Sequence, residues 1–184
     1  ALLTQGLHAD EASKRIAKLR PVPGRMELMP LARSNKSEGL LVIVDYAHTP
    51  DALQKTLQAI RPIAEQRNGK IWCVFGCGGD RDVGKRSKMG AVVEQLADQI
   101  IITSDNPRTE EPQEIIKMIR AGMTDDASNI QMIADRAAAI MAAVRHAGTY
   151  DIVLVAGKGH ETSQEINGKK FDFSDQEHIL SLIH

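Results

Sequence analysis

Aromatic residues are scarce: one Trp, two Tyr and three Phe make up 3% of the 184 residues. Single-stranded bases are held largely by stacking on aromatic rings, so this scarcity argues against RNA or single-stranded DNA as a partner. A surplus of positive charge is missing too. With 23 Lys and Arg against 24 Asp and Glu, the net charge is -1, and the chain has no field to gather a nucleic acid or an anionic membrane. There is no apolar run of about 18 residues and no signal-peptide pattern, so neither a membrane span nor a leader is expected. The only two cysteines lie in Trp72-Cys73-Val74-Phe75-Gly76-Cys77, which reads as a buried strand running into a glycine loop. A disulfide is not expected there, and a reducing, cytoplasmic location follows. What is present is an ordinary globular composition, 42% hydrophobic and 26% charged, with a core to be built from Ile, Val, Leu, Ala and Met.

The length suits one domain with a short appendage. Ala12, Ile16 and Leu19 have helical spacing, and Pro21 and Pro23 then stop the helix. We expect a hinge at Pro21-Val22-Pro23-Gly24, with residues 1–21 the remnant of a preceding domain and residues 22–184 one domain. The start at Ala1 without Met suits a piece of a longer protein. From Gly39 onward, short apolar runs alternate with amphipathic stretches, as βαβ units do. The expected fold is α/β: a Rossmann-like, mostly parallel sheet flanked by helices, with a C-terminal β-hairpin and helix. Strands fit Leu40 to Val44, Lys70 to Phe75, Gln99 to Thr103, Asn129 to Met132 and Asp151 to Ala156. Helices fit Asp51 to Gln66, Ser87 to Ala97, Pro112 to Met123 and Asp135 to Ala147, and Thr49 suits a helix cap. Asn167-Gly168 marks a hairpin turn, and Ser174 or Asp175 would cap a last helix, Gln176 to Ile183.

Ligands of an open α/β sheet collect beyond the carboxyl ends of its strands. Four such ends carry polar, charged or glycine-bearing loops: Asp45-Tyr46-Ala47-His48, Gly76 to Asp82, Ser104 to Arg108 and Gly157-Lys158-Gly159-His160-Glu161. That edge is the expected site. Gly79 to Arg86 nearly matches a phosphate-binding loop, but Arg86 stands where a magnesium-binding hydroxyl is needed. Gly76-x-Gly78-x-x-Arg81 likewise lacks the third glycine of the dinucleotide fingerprint. Asp105-Asn106-Pro107-Arg108 places an anion, an amide and a guanidinium within four residues, a set suited to a zwitterion. It is equally well suited to a turn capped by Asp105 and broken by Pro107. The glycines at 157 and 159 would allow close approach of a ligand. His8, His146, His178 and His184 have no spacing that suggests a metal site, and no metal ligand is expected in this chain.

Pro23-Gly24-Arg25-Met26-Glu27, Val44 to Leu53, Val74 to Asp82, Asp105 to Pro112 and Val155 to Glu161, in this order, resemble the Mur ligase family. The Asp-Asn-Pro-Arg block resembles its diaminopimelate-adding members in particular. The resemblance implies an ATP-dependent ligase that joins meso-diaminopimelate to UDP-MurNAc-L-Ala-D-Glu for peptidoglycan, of which this chain is the Rossmann-like C-terminal domain. The family phosphorylates the peptide's carboxylate with ATP, and the amine of the incoming amino acid attacks the acyl phosphate. By resemblance Arg81, Asp105, Asn106, Arg108, Gly157 and Glu161 hold diaminopimelate. Arg25 faces the ATP phosphates, Asp45 the ribose, and Tyr46 and His48 lie near the nucleotide. ATP, its Mg²⁺ and the metal's ligands belong to a central domain outside this chain, so the chain alone is expected to be inactive. A second reading is a stand-alone amino-acid-binding or regulatory module on the same kind of sheet.

Overall fold

The computed structural model describes residues 22–30, 39–124 and 128–182. The helix expected at 10–19 lies outside them. Five strands, β2 (Leu41–Asp45), β3 (Ile71–Phe75), β4 (Gln99–Ile102), β5 (Ile130–Met132) and β6 (Ile152–Ala156), pair in parallel, and β1 (Glu27–Leu28) adds antiparallel to β2. The order across the sheet is β1-β2-β6-β3-β4-β5. β3 and β6 are buried along their whole length, which explains why they read as unbroken apolar runs: helices cover both faces of a parallel sheet.

Alternate residues of each strand feed two cores. Ile43, Cys73, Phe75, Ile102 and Leu154 pack against α1 (Pro50–Gln66), α2 (Gly84–Leu96) and α3 (Pro112–Arg120). Val44, Trp72, Val74, Ile101 and Val155 pack against α4 (Arg136–His146) and α5 (Asp175–Ser181) on the other face. The chain thus works outward from β3 to β5 along one face, then returns by α4 on the other to insert β6 between β2 and β3. The crevice at that reversal is where such sheets hold ligands. Both cysteines are buried and free.

Local signals explain the element ends. Thr49 Oγ1 accepts the Ala52 N–H at 3.2 Å and Pro50 opens α1, a standard helix start. Asp135 and Ser174 cap α4 and α5 in the same way. Asn167 and Gly168 have φ of 50° and 70°, the left-handed pair that a two-residue hairpin turn needs between β7 (Ser163–Ile166) and β8 (Lys169–Asp172). Two expectations need correction. α2 begins three residues earlier than Ser87, because Asp82 Oδ1 accepts the Gly84 N–H at 2.9 Å and starts the turn there. α3 ends at Arg120, and Ala121-Gly122-Met123 form a separate turn. β1 joins the sheet, and Gly24 (φ 68°) lies so close to Gly159 and His160 that a Cβ would sit 2.2 Å from the His160 nitrogen.

Candidate functional site

The four loops do converge. A cleft of about 350 Å³ is lined by Tyr46 and His48 after β2, Gly78, Arg81, Asp82 and Lys85 after β3, Asp105, Asn106 and Arg108 after β4, and Gly157 and Glu161 after β6. Of the ten residues singled out in the sequence, Arg25 and Asp45 are the two that do not line it.

Asp45 explains its own position. Its carboxylate is buried and accepts the N–H groups of Met26 and Ala47 at 2.8 Å and the Thr56 hydroxyl at 3.3 Å. It is therefore a staple between β1, the following turn and α1. Arg25 lies over the Tyr46 ring, 4.9 Å from its centre, and the edge of the Tyr46 ring meets His48. Tyr46 and His48 form one wall at the β2 end of the cleft, with Arg25 stacked on the Tyr46 ring outside the lining.

The loop after β3 needs its glycines to lie against the Asp105 to Arg108 loop. A Cβ on Gly79 would fall 1.9 Å from the Pro107 carbonyl, and the Gly79 N–H donates to the Asn106 carbonyl at 2.9 Å. Arg86 is wholly buried and bonds both oxygens of Glu110 at 2.7–2.8 Å. Arg86 therefore ties this loop to α3, and the stretch that nearly matched a phosphate loop is closed around an internal ion pair. Lys85 bonds the His48 carbonyl at 2.9 Å and brings a cation to the cleft.

The Asp105 to Arg108 loop is held from behind by the hairpin. Gln164 donates to the Asp105 carbonyl at 2.6 Å, the Glu165 N–H donates to Asn106 Oδ1 at 3.0 Å, and the Arg108 N–H donates to the Glu165 carbonyl at 3.0 Å. The loop thus docks on β7 almost as a third strand, with Arg108 bridged to Ile166. Arg108, at φ 53°, donates from Nη1 to the Gly79 carbonyl at 2.7 Å and has Nε 3.5 Å from Glu165. Burial pushes the Asp105 carboxyl up, while the charges of Arg136 and Lys158 pull it back.

In the last loop both glycines have positive φ and sit tight against neighbouring loops. A Cβ on Gly157 (φ 121°) would meet Asp105 Oδ2 at 2.7 Å, and one on Gly159 (φ 54°) would meet the Gly24 carbonyl at 2.7 Å. They let the loops approach one another. Between them Lys158 is fully buried, 3.1 Å from Asn106 Oδ1, 3.1 Å from Glu161 Oε2 and 3.9 Å from Asp105 Oδ1. Behind both loops Arg136, also buried, bonds both oxygens of Asp175 at 2.7–2.8 Å and the carbonyls of Ser104 and Ala156 at 3.3 and 3.1 Å. Burial disfavours its charge, but the charge and hydrogen bonds of Asp175, with the charges of Asp105 and Glu161, together outweigh that and keep the guanidinium ionised. Sequence reasoning missed Lys158, Arg136, Asp175 and Gln164. A buried charge has no periodic signature that separates it from a surface one, and only the position of Lys158 between two glycines was visible.

The cleft lining therefore holds three cations, Arg81, Lys85 and Arg108, and three anions, Asp82, Asp105 and Glu161. That balance suits a small ligand carrying both charges rather than a polyanion.

Comparison with known proteins agrees with the geometry. Residues 24–159 match the family model described as Mur ligase, glutamate ligase domain. The UDP-N-acetylmuramoyl-L-alanyl-D-glutamate--2,6-diaminopimelate ligase of Ralstonia nicotianae is 57% identical over 97% of this chain, which covers 34% of that protein. The enzyme of the same name from a Synechococcus strain is 48% identical over 96% of the chain, which covers 35% of it. A solved structure of a ligase of this name superposes with a TM-score of 0.77 at 40% identity, covering 98% of this chain and 35% of that one. A bifunctional folylpolyglutamate synthase/dihydrofolate synthase from Yersinia pestis, at 22% identity and a TM-score of 0.57, shares the fold. The chain spans about a third of the length of these ligases. Sheet order, converging loops and the match across residues 24–159 together show that this chain belongs to the Mur ligase family, through its glutamate ligase domain.

Proposed function

We propose that residues 22–184 form the amino-acid-presenting domain of an ATP-dependent ligase that adds meso-diaminopimelate to UDP-MurNAc-L-Ala-D-Glu in peptidoglycan precursor synthesis, with residues 1–21 belonging to the preceding domain. The observation that carries this reading is the cleft itself, with anions and cations balanced around Asp105, Asn106 and Arg108. Arg108 and Arg81 take a carboxylate of the amino acid, Asp105 and Glu161 take an ammonium, and Asn106 and Gly157 complete the lining. Holding the attacking amine in one orientation supplies a large part of the barrier reduction for a reaction between two molecules. ATP is met from this side by Arg25, Tyr46 and His48, with Asp45 fixing the turn that presents them.

Among the described residues no three His, Cys, Asp or Glu side chains gather as a metal centre. The metal that accompanies ATP would be held by the rest of the ligase, as would the group that activates the peptide carboxylate. No described helix is long and apolar enough to cross a membrane.

Selectivity follows from the pairing of charges. Lysine lacks the carboxylate at the second stereocentre of diaminopimelate, and accepting it would cost the site the pairing of that carboxylate with Arg108 or Arg81. Sites built around a polar group reject analogues lacking it by factors on the order of 10⁴. The test is ligation by the complete enzyme, supplied with UDP-MurNAc-L-Ala-D-Glu, ATP and either meso-diaminopimelate or L-lysine, with the product weighed by mass spectrometry. The expected product carries diaminopimelate. Equal incorporation of lysine would overturn the reading.

A further inference from the structure

Lys158 stands apart from the residues that line the cleft. Its side chain is fully buried, yet its ammonium faces three groups that the proposed site uses. A lysine is kept at such a position only if its charge is paired there, because an unpaired buried cation is very costly. Two consequences follow from its contacts. First, Asn106 Oδ1 receives both the Lys158 ammonium and the Glu165 N–H, so the amide is held in one orientation and its Nδ2 faces Glu161 Oε2 at 2.9 Å. A flipped amide would set its NH₂ against two donors. Second, Asp105 and Glu161 bring two carboxylates to one corner of the cleft, and Lys158 balances one of them. The corner stays acidic, and a substrate ammonium complements it.

We propose that Lys158 is a positioning residue of this site. It touches no substrate. It fixes the Asn106 amide and offsets part of the negative charge of the Asp105–Glu161 corner, which an amino-acid ammonium complements. This rests on the reading of the cleft as the amino-acid site.

The test is steady-state kinetics of the complete ligase. Lys158→Met keeps length and removes charge and donor. It should raise KM for diaminopimelate about tenfold or more while KM for ATP stays within about twofold. Asn106→Ala should act on the same KM, and the double variant should lose clearly less than the product of the two single losses, because Lys158 acts in part through Asn106. A core-filling role predicts the opposite: both KM values drift with the unfolding temperature and the two losses multiply. An unchanged KM for diaminopimelate in a folded Lys158→Met, or multiplied losses, overturns the proposal. If Lys158→Met fails to fold, Lys158→Gln keeps an N–H for Asn106 without the charge. It should show a smaller rise in the same KM, and no rise overturns the proposal. The wild-type enzyme separates the two claims. If it joins a different amino acid, the functional reading fails, and the Lys158 comparison is then made with that amino acid.

Discussion

Glu110 grips the buried Arg86 guanidinium through both carboxylate oxygens, and that bond, aided by the Asp80 N–H, draws its carboxyl from 4.5 down to about 2. A folded value below the unfolded one means the pair's contribution is whole above about pH 4.5 and is lost as pH falls through about 2. Glu110→Gln should therefore cost on the order of 2 kcal/mol near neutral pH. Urea denaturation should show the gap between wild type and variant narrowing by about pH 3; an equal gap at both would contradict the assignment. Gly157 makes a sharper prediction for the site. With φ at 121° and Asp105 Oδ2 only 2.7 Å from where a Cβ would stand, Gly157→Ala must displace the Asp105 carboxylate. It should raise KM for diaminopimelate about tenfold in the complete ligase and leave KM for ATP unchanged, at a stability cost of about 1–2 kcal/mol. At this scale the sequence was informative where type and place coincide. Asp105, Asn106, Arg108 and Glu161 are charged or amide residues at strand ends, and position marked them. Asp45, placed at the ribose by resemblance, shows in the fold three internal hydrogen bonds that hold the turn before α1.

The helices and strands were legible because the sheet is buried on both faces and its helices on one. β3 and β6 show as apolar runs, α1 and α3 as amphipathic stretches opened by proline, and the hairpin by Asn167-Gly168. β1 was not legible, since two residues carry no period and Glu27–Leu28 gains its place only by pairing with Val44 and Ile43. Nor could the sequence show that α5 is pinned to the site. Asp175, the first residue of that helix, is fully buried against Arg136, which in turn holds the Ser104 and Ala156 carbonyls at the roots of two site loops. Asp175→Asn leaves a buried guanidinium without its counter-charge and should cost about 3–5 kcal/mol. Guanidinium chloride denaturation measures this. A loss below about 1 kcal/mol would show that α5 is not an anchor.

For the whole molecule, the reversal of strand order around β6 makes the site. It sets the Gly157 to Glu161 loop between the loops after β2 and β3, so that residues more than a hundred positions apart share one cleft. Strand-end position predicted this convergence, whereas the network behind it needed the fold: a lysine between two glycines, an arginine on α4 and an aspartate on α5 give no local sign of meeting. The chain covers about a third of its ligase relatives, so the proposed chemistry is tested in a complete ligase. The central claim is that the Asp105 to Arg108 loop chooses the amino acid. The direct measurement is kcat/KM for meso-diaminopimelate and for L-lysine in the complete ligase, wild type against Arg108→Ala, with KM for ATP alongside. The account predicts that the preference for diaminopimelate falls by about a hundredfold with KM for ATP unchanged. An unchanged preference, or an equal loss on ATP, would contradict it.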